Sequence, residues 1–396
     1  MTSRHVVVVG GGPAGALTAY LAASAGLRVT LIERHQDFER EFRGEVLMPS
    51  GLHMFERVGL KDAFERVPQH EIEGADLYWR AQRIRSFDFT GPRSISQPAL
   101  LAMLVEEAGK FPGFRLRMGT GARGLLRDHG RVVGVETEDG PVAGDYVIGA
   151  DGRFSALRRA AGLQAKGAAQ SFDVVWGSVP GDGTACLRAY LGAGHLALAV
   201  PTAAGRLQVG WVVPKGGYGE LKRQGFHAWV DEMSSHVDTG LASHLRAHRD
   251  EFEHPTLLSV VCNRLDEWSL PGLLLIGDAA HPMSPVGAQG INIALRDAVV
   301  VGNHVLAALA SGAGPDAVDE AAKLVEDERE VEVRAIQDAQ QRAPAFIFGA
   351  TWRSRLAYWG FRLRIADLVL RFLARRFALG AVPVSYTGLP RHPADD

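Results

Sequence analysis

The sequence predicts an α/β chain, α+β overall: a Rossmann-type parallel-sheet domain interrupted by an inserted antiparallel sheet and followed by a helical tail. Three observations predict it. An apolar strand, a glycine turn and a helix open the chain in that order. Two more apolar strands end at Asp151-Gly152 and at Gly277-Asp278. Between these motifs lie stretches that alternate polar and apolar residues, as half-buried strands do.

The opening segment is the most specific. His5-Val-Val-Val-Val9 is short, β-branched and apolar throughout, suiting a strand buried on both faces of a parallel sheet. Gly10-Gly-Gly-Pro-Ala-Gly15 follows, then an alanine- and leucine-rich helix to about Ala25, stopped by Gly26. Arg28-Val-Thr-Leu-Ile32 is a second strand ending on Glu33. Strand, glycine turn, helix, strand and acid in this order form the βαβ dinucleotide fingerprint. Gly10 allows the tight turn, Gly12 lets backbone N–H groups approach a pyrophosphate, and Gly15 permits close helix–strand packing. The helix N-terminus offers partial positive charge to the phosphates. Glu33, 23 positions after Gly10, has the reach to accept ribose hydroxyls. With 46 glycines in the chain a glycine pattern alone means little; its flanking strand, helix and acid give this one its weight. Gly192-Ala-Gly-His-Leu-Ala197 approximates the same pattern, but Pro201 and Gly205 forbid a helix behind it, so it reads as a hairpin turn. A single fingerprint disfavours reductases with separate flavin and nicotinamide domains.

Asp145-Tyr-Val-Ile-Gly-Ala-Asp-Gly-Arg-Phe-Ser155 reads as a strand opening onto Asp151-Gly152. Leu273-Leu-Leu-Ile-Gly-Asp-Ala-Ala-His281 is another, followed by Pro282-Met-Ser-Pro-Val-Gly-Ala-Gln-Gly-Ile-Asn292 and a helix from about Ile293. In these three motifs, in order and spacing, residues 4 to 340 resemble the single-component (group A) FAD-dependent aromatic hydroxylases, the p-hydroxybenzoate hydroxylase-like family. The resemblance implies FAD, bound tightly but not covalently. Gly10, Gly12, Pro13, Ala14 and Gly15 would cradle its pyrophosphate, and Glu33, with Arg34 beside it, would bind the adenosine ribose. Gly277-Asp278 would place a carboxylate on the ribitol. Pro285, Gly287, Ala288, Gln289, Gly290, Ile291 and Asn292 would run beneath the isoalloxazine, with N–H groups at a helix start facing its pyrimidine edge. Asp151-Gly152 would touch the pyrophosphate region and the nicotinamide route. Arg43, in Arg43-Gly-Glu45, would approach the FAD, and Ala122 would offer a backbone contact to adenine. Gln97 stands where many members carry arginine and a few carry glutamine, a departure that bears on one flavin contact.

Local readings compete at several positions. Asp278 is also placed to cap the following helix, and Asp151 to form an Asx-turn before Gly152. His281 reads as a packing or hydrogen-bonding residue at the flavin edge, with direct chemistry as the competing reading. No GxSxG elbow and no HExxH occurs, so hydrolase chemistry has no support.

By the same resemblance the reaction is monooxygenation. NADPH or NADH reduces the FAD, dioxygen adds at flavin C4a, and the hydroperoxide hydroxylates or epoxidises a small aromatic or polyketide-like substrate. The flavin carries that chemistry, and the protein supplies position and shielding from water; no catalytic side chain is assigned. Flavin-dependent halogenases also need a Trp-x-Trp motif and a lysine that this chain lacks between Lys61 and Lys110. A prenyl-chain reductase and a non-catalytic flavin-binding scaffold remain as alternatives.

The FAD domain is expected over residues 1–70, 96–165 and 262–340, and the substrate domain over 71–95 and 166–261, as a sheet covering the flavin's reactive face. Leu207-Gln-Val-Gly-Trp-Val-Val213 is its clearest strand. Tyr78, Arg80, Tyr190, His195 and Trp211 are candidates for lining a pocket, with Trp211, Tyr190 and Pro285 taken as substrate contacts; strand register decides which face they occupy. Residues 315–343 read as a charged helix and 341–396 as a helical C-terminal segment. In that segment Trp359, Leu363, Ala366, Leu370, Leu373 and Phe377 form an apolar stripe, beside seven arginines between Arg353 and Arg376. Docking on the body, membrane-surface contact and a dimer contact are its three readings.

The whole chain of 396 residues is 46% apolar and 22% charged, ordinary for a globular protein of two or three domains. A net charge of −2 without a long basic run gives no sign of a nucleic-acid partner. Cys186 and Cys262, far apart, make neither a disulfide framework nor a zinc site, and no metal is expected. No uncharged apolar run reaches the ~18 residues a membrane span needs, and the start lacks a secretory signal. The expectation is a cytoplasmic monomer or homodimer acting on a small molecule.

Overall fold

The computed structural model describes residues 3–39, 46–88, 91–167, 170–192, 194–253, 256–347, 380 and 382–388. Arg43-Gly-Glu45 and the arginine-rich stretch 353–376 lie outside them. A six-stranded sheet forms the first layer, in the order Ser269–Leu270, Leu273–Leu275, Tyr146–Gly149, His5–Val9, Arg28–Ile32, Phe114–Arg117. All neighbours run parallel except the Ser269–Leu270 edge. Val6 through Val9 and Tyr146 through Ile148 are buried on both faces, which explains strands apolar at every position. The Pro13–Ser24 helix covers the sheet and packs on the Gly290–Val301 helix.

A short antiparallel meander, Ala122–Asp128, Arg131–Thr137 and Gly140–Ala143, links the Phe114–Arg117 and Tyr146–Gly149 strands. The second layer is a seven-stranded sheet, Thr256–Leu258, Phe172–Pro180, Arg206–Pro214, His195–Pro201, Cys186–Gly192, Gly74–Trp79, Gln82–Asp88. The Gly192 pattern is indeed a hairpin: Gly192 pairs with His195. One junction departs from the antiparallel expectation. Cys186–Gly192 runs parallel to Gly74–Trp79, because Gly74–Trp79 comes from a separate segment and its direction is not set by a hairpin.

Three helices, Tyr218–Gln224, Phe226–Ser234 and Thr239–Ala247, cover one face of this sheet. Alternation along 170–215 carried no sign of that layer, and it decides which strand positions are core. The other face meets the first domain through Val286 and Ala288.

The stretch Gly290–Ala310 is long and apolar enough to cross a membrane, yet it is mostly buried inside the fold. It carries the ion-paired Arg296 and Asp297 and is a core helix. The charged helix spans Pro315–Ile347, four residues beyond its expected end.

Candidate active site

The three motifs converge at the carboxyl ends of the parallel strands, where doubly wound sheets bind ligands. Gly10 has φ +103°, and a β-carbon there would lie 2.3 Å from the Ala150 carbonyl oxygen, so the glycine turn and the Asp151 strand touch. A β-carbon at Gly15 would stand 1.9 Å from the Gly10 carbonyl oxygen. One at Gly277 would stand 3.3 Å from the Ala14 side chain. Pro13 opens the first helix and no side chain caps its N-terminus, which leaves its first-turn amides to meet a phosphate.

Glu33, 3% exposed, accepts the Gly11 N–H at 2.7 Å and the His35 N–H at 3.0 Å. A carboxylate has about four acceptor positions, so ribose hydroxyls still have room. The Thr120 N–H donates to the Glu33 carbonyl, bringing the chain next to Ala122 alongside the adenosine end. Arg34 is exposed at that end. Gln97 is buried as the first residue of the Gln97–Gly109 helix, whose N-cap is Ser96.

The two acidic motifs differ. Asp151 accepts hydrogen bonds from the Ser155 hydroxyl at 2.6 Å and the Ala156 and Leu157 amides at 2.7 and 3.1 Å. Its side chain caps the Ala156–Ala161 helix, the local reading, and Gly152 follows at φ +82°. Asp278 caps no helix; among the described residues its carboxylate receives no hydrogen bond, which suits it to a ribitol hydroxyl.

The Pro285–Asn292 loop is shaped by strain and by one amide. Gly287 and Ala288 both have left-handed backbones, φ +79° and +52°; for an alanine this costs about 1 kcal/mol or more and points to a functional loop. Ala288 N–H closes the turn on the Pro285 carbonyl at 3.0 Å. Asn292, fully buried, donates to the Ala288 carbonyl at 2.6 Å and accepts the Met48 N–H at 2.8 Å. It clamps the loop to the strand Val46–Leu47, so its part is to hold the flavin loop's shape. Gln289 donates to the Gly287 carbonyl at 2.8 Å. No side chain caps the Gly290–Val301 helix, whose start with Gly290 and Ile291 is left for the flavin's pyrimidine edge.

Behind the loop lies a buried charge chain that the sequence did not disclose. His281, 1% exposed, stacks on Trp268, and its Nε2 stands 2.9 Å from Asp297 Oδ2. That is the packing role. Asp297 also accepts the Gly277 N–H at 3.0 Å and Arg329 Nε at 2.8 Å. Arg329 donates to Glu332 at 2.6 Å, Glu332 pairs with Arg296 at 3.0 Å, and Arg296 reaches the Val382 carbonyl. Burial alone would raise the Asp297 carboxyl, but the His281 ring and Arg329 outweigh it and hold it at about 2. A carboxyl depressed below its ordinary 3.8 stabilises the fold above that pH, and the contribution is lost as pH falls toward 2. The urea midpoint of the wild type should therefore fall more steeply across this acid window than that of Asp297→Asn. Equal slopes would contradict the ionised state.

Trp211 and Tyr190, expected at the substrate, face the other way. Both are 2% exposed and belong to the core under the three helices; Trp211 stacks on His195, and the Tyr190 hydroxyl donates to Asp238 at 2.5 Å. The correction follows from register: odd-numbered positions of Arg206–Pro214 point to the helices and even-numbered ones to the flavin loop. Tyr78 stacks on Tyr190 in the same core. Pro285 stays on the loop. The flavin-side residues that the sequence reading passed over are Trp176, Leu198, Val200, Gln208 and Val212.

The cradles, the open Asp278 and the uncapped helix starts fit an FAD laid across the sheet edge, and they define a flavin-dependent oxidoreductase. The chain belongs to the family of FAD-dependent aromatic hydroxylases: the FAD binding domain family matches residues 3–336, and the protein is an FAD-dependent monooxygenase. It is 37% identical over 314 residues to 6-methylpretetramide 4-monooxygenase of Streptomyces rimosus, covering 74% of this chain and 73% of that one. It is 28% identical to protoasukamycin 4-monooxygenase of Streptomyces nodosus subsp. asukaensis, over 87% of this chain and 88% of the relative. The fold matches the crystal structure of p-nitrophenol 4-monooxygenase from Pseudomonas putida with a TM-score of 0.78 at 20% identity, covering 95% and 98% of the two chains.

Proposed function

We propose that this enzyme inserts one oxygen atom into an aromatic polyketide, using NADPH or NADH as reductant. The observation that carries the reading is the closure of the Pro285–Asn292 loop against a largely apolar sheet face, where Val286 and Ala288 meet Trp176, Val212 and Val200. Bound FAD supplies the redox chemistry, taking two electrons from the nicotinamide and delivering one atom of dioxygen to the substrate while the other leaves as water.

The chain's own residues do the rest. Gly10, Gly12 and Gly15 with the Pro13–Ser24 helix hold the pyrophosphate, Glu33 the adenosine ribose and Asp278 the ribitol. The Gly290–Val301 helix start stabilises negative charge on the pyrimidine edge of reduced flavin. The sheet face excludes water, which keeps reduced oxygen from leaving as hydrogen peroxide. The relatives named for polyketide-type substrates support the substrate class. Nicotinamide oxidation by the FAD-loaded enzyme should rise on adding 6-methylpretetramide, with less than an equivalent of hydrogen peroxide formed. A reductase would oxidise the nicotinamide without consuming oxygen, and that result would contradict the proposal.

A further inference from the structure

Resting on that reading, the geometry points to Gln208 as the side chain that fixes the substrate, through a hydrogen bond from its amide to a neutral oxygen of a flat, uncharged polycycle. Gln208 is 2% exposed, and its Nε2 donates to nothing among the described residues. A buried amide donor left unsatisfied costs about 1–3 kcal/mol and calls for an explanation. Its neighbours explain why no partner comes from the protein. Across one strand stands Val200, which is apolar; across the other stands Ser178, whose hydroxyl already accepts Arg206 Nε at 2.8 Å.

The position is the telling feature. Val200 belongs to the cluster that contains Met48 and Ala288. The next same-face residue along the strand, Gly210, lies under the Trp176 ring, in the cluster that contains Val286. Gln208 therefore sits between the two places where the flavin loop touches the sheet. Gly210 is required there, since a β-carbon would come 2.5 Å from the indole. Trp176 thus lies flat on the strand as an aromatic surface beside the amide.

Charge on this face narrows the substrate. Trp176, Leu196, Leu198, Val200, Gln208 and Val212 are all uncharged. The cations that share the face stand at its margins: Arg206, held by Ser178, at a strand end, and Arg85 on the edge strand opposite Leu77. A small aromatic carboxylate would have no central cation to neutralise it. A neutral phenol–quinone polycycle would bury its rings on Trp176 and offer an oxygen to Gln208.

Titrating the FAD-loaded enzyme with a dihydroxyanthraquinone and with p-hydroxybenzoate, followed by the flavin absorbance change, tests this. The wild type should bind the anthraquinone and prefer it to the benzoate. Gln208→Met should bind it about tenfold more weakly, as loss of one buried hydrogen bond predicts, with more hydrogen peroxide formed per nicotinamide oxidised. In the ligand-free protein the same change removes an unsatisfied donor, so the melting temperature should stay level or rise. A purely structural glutamine would lower it. Equal anthraquinone binding by wild type and Q208M overturns the Gln208 assignment alone. Preference for the benzoate overturns the neutral-polycycle class. A wild type that binds neither compound takes the polyketide-oxygenase reading down with it.

Discussion

Gly15→Ala should lose its flavin on purification. The new β-carbon would stand 1.9 Å from the Gly10 carbonyl oxygen and 3.2 Å from the Ala150 side chain. Backbone on one side and a buried strand on the other leave no flexible group to give way. The turn and helix must open by about 1.5 Å to reach ordinary contact. Overpacking of this kind costs about 1–3 kcal/mol in fold stability. The larger effect falls on the cofactor, because the displaced residues are those whose amides converge on the pyrophosphate. Each 1.4 kcal/mol lost there is about tenfold in FAD affinity, and a loss of a hundredfold or more is expected. Gly109→Ala, at a site where a β-carbon meets nothing within 4 Å, should keep its flavin and serves as the control. Flavin absorbance per protein after gel filtration measures both. A fully loaded Gly15→Ala variant would mean that this turn does not carry the pyrophosphate.

Arg329→Met is expected to be the most destabilising single change away from the glycine turn. Arg329, Asp297 and Glu332 are all completely buried, and Arg329 is the cation that bridges the two carboxylates. Removing one partner of a buried pair leaves an uncompensated charge, at about 3–5 kcal/mol. Here two carboxylates are affected, though His281 and Arg296 remain beside them. The consequence reaches the cofactor, because Asp297 also accepts the Gly277 N–H and so fixes Gly277-Asp278. Urea unfolding should show the midpoint shift, and flavin titration a weakened affinity in the same variant. A loss below about 1 kcal/mol would contradict a charge-compensating role.

The fold was legible in the sequence where local pattern and chemistry coincide. His5–Val9, the glycine turn and Glu33 announced the parallel sheet, because a strand buried on both faces is apolar at every position and a phosphate turn needs glycine. Asp278 was legible as a motif, and the structure removes its competing reading by leaving the carboxylate unpartnered. Asp151 kept its local role, since Ser155 and two amides lie within reach of it. The substrate wall was not legible. Alternation in Leu207–Val213 defines two faces but carries no label saying which one meets the flavin. That label came from the helices over 218–247, which take Trp211 and Tyr190 into a core of their own. Arg329 and Glu332 sat in a helix so rich in charge that it read as solvated. Only the tertiary position of Asp297 shows that this stretch faces inward.

The central claim is that the enzyme transfers an oxygen atom from dioxygen to a polyketide-type phenol. The most direct measurement is turnover of the FAD-loaded enzyme with nicotinamide and isotopically labelled dioxygen, with mass spectrometry of the product. The account predicts one labelled oxygen atom in the product for each nicotinamide oxidised. A product reduced or unchanged in mass, formed without uptake of label, would contradict it.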